Sequence, residues 1–424
     1  MHYLLRHRDV PGIQALVTYV GHGGYEGLRR AVSMSQDAVL EEVAQSGLRG
    51  RGGAGFPTGR KWSFLNQSSS ERYLVVNADE AEPGTFKDRE LIENNPHQVI
   101  EGALIAAYAL RATDAFIFVR GELLTGYESL LRARNEARDA GYIGSHIFHS
   151  DYSIHLSVFR SAGAYICGEE TALLESLEGR RGHPRIKPPF PAQVGLYGQP
   201  TVVNNAETVA NLPPIIMNGA NWYRNFGTDK SPGIKIFSVS GLIARPGNYE
   251  LPLGTPLDTL LHDYAGGPRY GRSIKAVIPG GSSVPLLVPE NFNVPLDYES
   301  LLEAGSMLGS GGVMILDDAT CIVRTAARLL KFYRTESCGK CTPCREGTYW
   351  MTAILERIEA GVGTMDDLGR LPDIADHVSG KCLCPLGDAS LPFMLSAMTH
   401  FRHEFVQHIE EHGCPMSAAV THTA

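Results

Sequence analysis

The chain has no apolar run approaching the ~20 residues that a helix needs to cross a bilayer. Its start, Met1-His2-Tyr3-Leu4-Leu5-Arg6-His7-Arg8-Asp9, also lacks the apolar stretch of a secretory signal. The expectation is a soluble chain that stays inside the cell. Cysteine is scarce: eight in 424 residues is too few for a disulfide-stapled secreted fold. A basic excess is missing too, since 38 Lys and Arg stand against 46 Asp and Glu. The net charge of −8 offers no general surface for nucleic acid. There is no internal repeat and no low-complexity tract, which excludes solenoids and disordered arrays. What remains is ordinary globular composition, 43% hydrophobic and 20% charged, in a chain long enough for roughly two to four domains.

The few cysteines are not scattered evenly. Cys338, Cys341 and Cys344 stand at C-x₂-C-x₂-C spacing inside Ser337-Cys-Gly-Lys-Cys-Thr-Pro-Cys-Arg345, and Cys384-Pro385 follows about forty residues later. Three thiolates on one short loop reach three corners of an iron–sulfur cubane if a fourth arrives from elsewhere, whereas zinc sites usually draw two ligands from each of two knuckles. A [4Fe–4S] cluster is therefore preferred over zinc or free thiols. Cys382 competes with Cys384 as fourth ligand, and spacing alone does not choose. Cys167, Cys321, Cys382 and Cys414 otherwise read as small packed residues.

Along the chain, Asp37 to Ala44 reads as a short helix leading into the glycine-rich stretch Ser46 to Trp62. Strand-like runs at Tyr73–Asn77, Ala115–Val119 and Ile154–Phe159 then alternate with helical stretches at Asp88–Leu110 and Leu123–Ala140, a βαβ rhythm with a largely parallel sheet. After a Pro-rich loop (Pro184–Pro200) a helix starts near Asn205. Beyond residue 229 short strands (Ile234–Val239, Gly247–Leu251, Ala276–Ile278) surround one helix (Pro256–Tyr264), an α+β module. The end is helical, at Cys321–Phe332, Thr348–Ala360 and Ser390–Glu411, with the cysteines expected on the loops between. The expected units are 1–57, 58–228, 229–315 and 316–424.

Residues Gly50 to Gly55 satisfy G-x-G-x-x-G, but a helix precedes them and Phe56-Pro57 follows. A dinucleotide fingerprint follows a strand and opens a helix. A phosphate loop of another kind fits better, with bare backbone and the charges of Arg49, Arg51, Arg60 and Lys61 close by; the alternative is a basic surface turn. The strand ending at Asn77 runs into Ala78-Asp79-Glu80-Ala81-Glu82, at the strand edge where α/β sheets bind ligands. Asn77 and Asp79 suit ring edges or ribityl hydroxyls, or else a solvated turn that caps the next helix. Glu169 and Glu170, after Gly168, suit a ligand or the dipole of the helix that they open.

Six motifs follow one another from residue 47 to residue 347: Gly-Leu-Arg-Gly-Arg-Gly-Gly-Ala-Gly-Phe-Pro-Thr-Gly (47–59), Asn-Ala-Asp-Glu-Ala-Glu-Pro-Gly (77–84), Gly-Ala-Tyr-Ile-Cys-Gly-Glu-Glu-Thr-Ala-Leu (163–173), Lys-Pro-Pro-Phe-Pro-Ala (187–192), Val-Asn-Asn-Ala-Glu-Thr (203–208) and Glu-Ser-Cys-Gly-Lys-Cys-Thr-Pro-Cys-Arg-Glu-Gly (336–347). In this order they resemble the NADH-binding flavoprotein subunit of respiratory complex I. The resemblance implies a Rossmann-like FMN domain, a ubiquitin-like (β-grasp) module and a four-helix bundle carrying a [4Fe–4S] cluster. It implies that Gly50, Gly52, Gly53, Lys61, Asn77, Asp79, Glu80, Tyr165, Gly168, Glu169, Asn204 and Asn205 hold FMN. Phe56, Phe64 and Phe190 would stack on the adenine of NADH, with Glu82, Glu170 and Lys187 on other parts of the dinucleotide. It selects Cys384 as fourth cluster ligand because Pro385-Leu386 follows. Arg60 departs from the family's pattern and adds charge at the mouth.

The resemblance further implies NADH:quinone oxidoreductase activity. Its partners would be a thioredoxin-like [2Fe–2S] subunit and a large iron–sulfur subunit, with no nucleic acid and no direct membrane insertion. The chain would sit in a peripheral arm on the cytoplasmic side of a bacterial inner membrane, or on the matrix side in a mitochondrion. The diaphorase subunit of an NAD-linked hydrogenase or formate dehydrogenase shares these motifs and is the alternative. Many such subunits add a thioredoxin-like extension and ferredoxin-type cysteine runs that this sequence lacks, which favours complex I.

Overall fold

The computed structural model describes residues 2–416. Short β-branched and aromatic runs form the first sheet: β1 (Tyr73–Ala78), β2 (Asp114–Val119), β3 (His155–Arg160) and β4 (Thr201–Asn205), wholly parallel and ordered β3-β2-β1-β4. Leu74, Val75, Val76, Ile117 and Phe118 are solvent-free, as expected for a parallel sheet covered on both faces. The chain order reverses at β1, because β2 and β3 follow on one side and β4 returns on the other. The carboxyl ends of β1 and β4 therefore flank a switch point, where Asn77 pairs in register with Asn205. In open α/β sheets that crevice is where ligands settle. The sequence reading misses β4, which is five residues long between a Pro-rich loop and a helix.

The helix expected over Asp88–Leu110 is two helices, Lys87–Asn94 and Pro96–Ala109. The Pro96 ring disfavours the helical conformation at Asn95, whose φ and ψ are −140° and 49°. All fourteen residues of Pro96–Ala109 are buried, since one face meets the sheet and the others meet helices Glu26–Ser33 and Ala206–Ala210.

The second sheet joins β5 (Ile234–Gly241), β6 (Gly247–Pro252), β7 (Ile274–Ile278) and β8 (Gly312–Asp317) in the order β6-β5-β8-β7, with β5 and β8 parallel and both outer pairs antiparallel. β8 escapes the sequence reading behind Gly309, Gly311 and Gly312, and it runs across residue 315, where a boundary is expected. Glu250 on β6 accepts the backbone N–H groups of Tyr3, Leu4 and Leu5 at 2.6, 3.0 and 2.8 Å, lacing the start of the chain to this sheet.

The last third is helical: Ile322–Glu336, Thr342–Glu359, Met365–Val378, Pro392–His400 and Arg402–Glu410 close around Leu330, Met351, Leu355, Leu371, Met394 and Phe405. Helix Met365–Val378 is absent from the sequence reading because Pro372 lies inside it. Helix Thr342–Glu359 starts six residues before the expected Thr348, so Cys344 lies in its first turn and not on a loop. The stretch expected as one helix over Ser390–Glu411 breaks at Phe401. Among the described residues no helix is long and apolar enough to cross a membrane.

Candidate cofactor and redox site

A cavity of about 670 Å³ opens at the switch point between β1 and β4. That volume lies in the range of sites that enclose a cofactor-sized ligand. Its walls come from both sheets' surroundings and the helical region: Arg49, Gly52–Ala54, Asn77, Asp79–Glu82 with Lys87, Tyr165, Ile166, Gly168, Glu169, Asn205, Tyr298, and Cys384–Leu386.

The glycine loop contributes backbone and little else. Gly52 packs so closely on Asn205 that a Cβ there would lie 3.0 Å from the Asn205 Cβ. Of the basic side chains expected to face a phosphate only Arg49 lines the cavity, and it is paired there with Glu299; the others are engaged elsewhere. Arg51 is fully buried and turns into the core, donating to the Tyr223 hydroxyl at 2.9 Å and the Pro232 carbonyl at 3.2 Å. Arg49 pairs with Glu299, Lys61 donates to Glu170 at 3.0 Å, and Arg60 lies 5.9 Å from both the Phe56 and Phe64 rings. Gly50 lies outside the cavity wall and its carbonyl accepts from the Tyr298 hydroxyl at 2.7 Å.

On the acidic loop the carboxylates divide their work. Glu80 accepts the backbone N–H groups of Asp88 and Arg89, both at 2.9 Å, and so caps helix Lys87–Asn94. Burial and the nearby Asp88 charge push its carboxyl up. Glu82 accepts from the Tyr165 hydroxyl, from Ser282 Oγ at 3.1 Å and from Ser283 N–H at 2.8 Å, bridging the first sheet to the second module. Asp79 is different. It is 6% exposed, and neither of its oxygens has a hydrogen-bond partner among the described residues. Burial pushes it up to about 7. A buried acceptor pair of this kind is costly to leave unmade, which marks Asp79 for a ligand that donates hydrogen bonds. Asn77 donates to the Gly168 carbonyl at 2.9 Å; Asn205 caps the next helix through Glu207 N–H at 3.0 Å and accepts from Lys87 at 3.2 Å. Asn204 is spent on the Trp62 indole N–H at 2.8 Å and does not line the cavity.

Glu169, not Glu170, caps helix Glu170–Leu177: its Oε2 accepts from Thr171 and Ala172 N–H at 2.9 and 3.0 Å, and its Oε1 takes Lys187 at 2.7 Å. Glu170 sits between Lys61 at 3.0 Å and Lys187 at 3.4 Å. Burial works against its ionised form, but the two ammonium groups outweigh it and hold the carboxyl below its ordinary value. Phe56, Phe64 and Phe190 are about half exposed, and the first two rings lie 6.2 Å apart. Neither these rings nor Lys61, Glu170 and Lys187 line the cavity.

The thiols of Cys338, Cys341, Cys344, Cys382 and Cys384 come together against Ile166, Leu386 and the underside of the first sheet. Cys341 precedes helix Thr342–Glu359 and Cys344 is buried in its first turn, with Ser337 Oγ 3.3 Å from Cys344 Sγ. Burial pushes Cys384 up to about 12, and the Glu169 carboxylate and then the thiols of Cys338 and Cys344 add to it. Cys384 lines the cavity; Cys382 does not, and its S–H donates to the Val378 carbonyl at 3.5 Å. The donor sets fit the groups they imply: soft thiolates gathered beside the cavity, with Cys384 reaching it, for an iron–sulfur cluster, and a bare-backbone loop and an unpartnered carboxylate lining it for FMN.

The sequence reading misses Lys87 and Tyr298. Lys87 is buried at the cavity wall between Asp88 at 2.8 Å and Glu207 at 3.0 Å, and nothing in Phe86-Lys87-Asp88 signals that placement.

Known proteins resemble the chain over most of its length. A family model for the Nuo51 FMN-binding domain matches residues 43–214, and one for the NADH-ubiquinone oxidoreductase-F iron–sulfur binding region matches residues 324–408. The NADH-quinone oxidoreductase F subunit of Mycobacterium tuberculosis (strain ATCC 25618 / H37Rv) is 53% identical over 418 residues, 97% of this chain and 94% of that one. The F 2 subunit of the same enzyme in Rhizobium meliloti (strain 1021) is 51% identical over 97% of this chain and 98% of its own. Among solved structures, the NAD⁺-reducing [NiFe]-hydrogenase in its H₂-reduced state superposes with a TM-score of 0.84 at 37% identity, covering 98% of this chain and 67% of that chain. The air-oxidised state gives 0.80 at 40% identity over 89% of this chain, which spans 63% of that one. With half of its residues identical to these relatives over nearly its whole length, the chain belongs to the family of NADH-quinone oxidoreductase F subunits.

Proposed function

We propose that this chain is the electron-input subunit of an NADH:quinone oxidoreductase, taking hydride from NADH at the switch-point cavity and passing electrons singly toward partner subunits and quinone. The observation that carries the reading is the pair of features sharing one cavity. Asp79, buried and unpartnered, and Cys384, from the thiol group, both line the same cavity. FMN supplies the chemistry that links a two-electron donor to one-electron carriers, and the [4Fe–4S] cluster is such a carrier.

The chain's own residues supply the rest. Gly52 and Gly53, beside Gly50, give a backbone that a phosphate can approach. Asn77, Asp79, Glu80, Tyr165, Gly168, Glu169 and Asn205 position the flavin, with Asn204 fixing the adjacent strand end and Lys61 adding charge. Phe56, Phe64 and Phe190 offer exposed faces for adenine, which suits stacking. Glu82, Glu170 and Lys187 address the remainder of the dinucleotide. Cys338, Cys341, Cys344 and Cys384 ligate the cluster, while the S–H of Cys382, donating to a carbonyl, suits a bystander thiol.

The parallel four-stranded sheet supports a Rossmann-like unit at 58–228, preceded by the helical and glycine-rich segment 1–57. The β6-β5-β8-β7 sheet supports a ubiquitin-like module over 229–315 with β8 carried just past that boundary, and the helices support a helical bundle within 316–424, of five main helices among the described residues where four are expected. A thioredoxin-like [2Fe–2S] subunit and a large iron–sulfur subunit are the expected electron acceptors. The chain would sit in a peripheral arm on the cytoplasmic side of a bacterial inner membrane. The diaphorase alternative is weakened by identity: the hydrogenase chains reach 37–40%, against 51–53% for the quinone-oxidoreductase relatives.

The test is anaerobic purification of the full chain with flavin, iron and sulfide analysis. One FMN released by acid, and a paramagnetic cluster signal lost in Cys384→Ser but kept in Cys382→Ser, are expected. Recovery of FAD, or an intact signal in Cys384→Ser, would overturn the assignment.

A further inference from the structure

Far from the cavity, four side chains with metal-ligating atoms converge on one point. Cys321 precedes helix Ile322–Glu336, Glu359 ends helix Thr342–Glu359, His408 lies on helix Arg402–Glu410, and Cys414 follows that helix. Cys344 and Glu359 are fifteen residues apart on one helix, so the group lies about 22 Å along it from the iron–sulfur cysteines. The four ligand atoms lie within 4.8 Å of one another. Cys321 Sγ is 3.3 Å from His408 Nε2 and 3.7 Å from Glu359 Oε2, and His408 Nε2 is 3.3 Å from Glu359 Oε2.

The three spacings among Cys321, His408 and Glu359 are close to the edges of a coordination tetrahedron, with Cys414 near enough to supply the fourth corner. Zinc bonds of about 2.3 Å to sulfur and about 2.0 Å to nitrogen or oxygen set ligand atoms roughly 3.3–3.8 Å apart. The surrounding groups prepare each ligand. His408 Nδ1 lies 2.7 Å from the Glu404 carbonyl, which can only accept, so Nδ1 carries a proton and Nε2 is the nitrogen turned to the centre, free to ligate once a metal displaces its proton. Glu359 gives Oε1 to Arg324 Nε at 2.6 Å and keeps Oε2 for the centre. Cys321 Sγ accepts Arg324 N–H at 3.3 Å at a helix N-terminus, where negative charge on sulfur is favoured. Two thiolates, one carboxylate and a dication leave a single negative charge, beside which Arg324 lies. Cys321 and His408 are buried, which shields the centre from water.

We infer that Cys321, Glu359, His408 and Cys414 form a tetrahedral zinc site that ties the end of the chain to the start of helix Ile322–Glu336 and the end of helix Thr342–Glu359. Its sulfur, nitrogen and oxygen donors suit zinc, and the closed set of four protein ligands suits a structural ion. The site is separate from the electron path proposed above and does not depend on it.

The test is metal analysis of the full chain purified with its flavin and cluster. One zinc per chain beyond the cluster iron is expected, together with at least a ten-fold loss of zinc in Cys321→Ser and Cys414→Ser while FMN and the cluster signal remain. Zinc should stay in Cys384→Ser. Cells grown on cobalt should give wild-type protein with thiolate-to-cobalt charge-transfer bands, a readout that holds even if a variant fails to fold. A zinc-free wild-type chain without cobalt uptake, a Cys321–Cys414 disulfide in peptide mapping, or zinc lost in Cys384→Ser but kept in Cys321→Ser would each overturn the inference.

Discussion

Glu170 and Glu169 are adjacent carboxylates that the fold puts to different uses. Glu169 fills the helix-capping role, and Glu170 balances two lysines beside the proposed dinucleotide path. A carboxylate there favours a ribose diol and opposes the 2′-phosphate of NADPH. Glu170→Gln keeps size while leaving Lys61 and Lys187 with Glu169 alone, so a 2′-phosphate would meet net positive charge. The NADPH/NADH ratio of kcat/KM should rise about ten-fold, equivalent to about 1.4 kcal/mol. Steady-state ferricyanide reduction with both nucleotides measures it, and an unchanged ratio would remove Glu170 from specificity. Glu169→Gln should instead cost about 1 kcal/mol of stability through the weakened cap. At this scale the sequence supplies residue types and spacing but not direction. Nothing in Gly50-Arg51-Gly52 tells that the Arg51 side chain turns inward to Tyr223, or that Glu82 spends its oxygens on Tyr165 and Ser282.

Helix Pro96–Ala109 is the element on which the cavity rests, because it backs the sheet and meets helix Ala206–Ala210, which Asn205 caps. The approach is tightest at Gly102, where an added Cβ would lie 2.0 Å from the Val209 carbonyl oxygen. Backbone cannot swing aside as a side chain can. Gly102→Ala should therefore cost about 2–3 kcal/mol by forcing the helices apart, and FMN should be released at lower denaturant because Asn205 moves with Val209. Urea unfolding followed by flavin fluorescence checks both; a variant with wild-type midpoint would refute the close packing. Legibility at this scale follows pattern length. β1, β2 and β3 are readable as apolar runs between helical stretches, and the glycine-rich and acidic loops lie where their motifs put them. β4, β8 and helix Met365–Val378 are not readable, because they are short, glycine-flanked or interrupted by Pro372, and only their neighbours make them regular. The break at Asn95 is legible in principle, since Pro96 announces it.

Across the whole molecule the layers are joined by carboxylates that reach between them. Glu90, on the helix after β1, accepts from His7 at 2.9 Å and Arg8 at 2.7 Å in the first residues of the chain, and from Asn248 on β6 at 2.6 Å. Burial alone would raise its pKa, but the hydrogen bonds from His7, Asn248 and Arg8 and the Arg8 charge outweigh that and hold it at about 2. A carboxyl whose folded pKa lies below its unfolded value stabilises the fold above the unfolded value, near 4.3, and loses that contribution as pH falls toward 2. For Glu90, discounted for solvent screening at its partly exposed edge, the contribution is on the order of 1–2 kcal/mol. Glu90→Gln should be less stable than wild type by that order at pH 7, and the difference should shrink steadily below pH ~5. Comparing variant with wild type at each pH separates this from acid damage to a bound cluster, which both proteins share. Urea midpoints read by tryptophan fluorescence provide the measurement, and two curves that stay parallel down to acid pH would mean that Glu90 does not carry the link between the start of the chain and the second sheet.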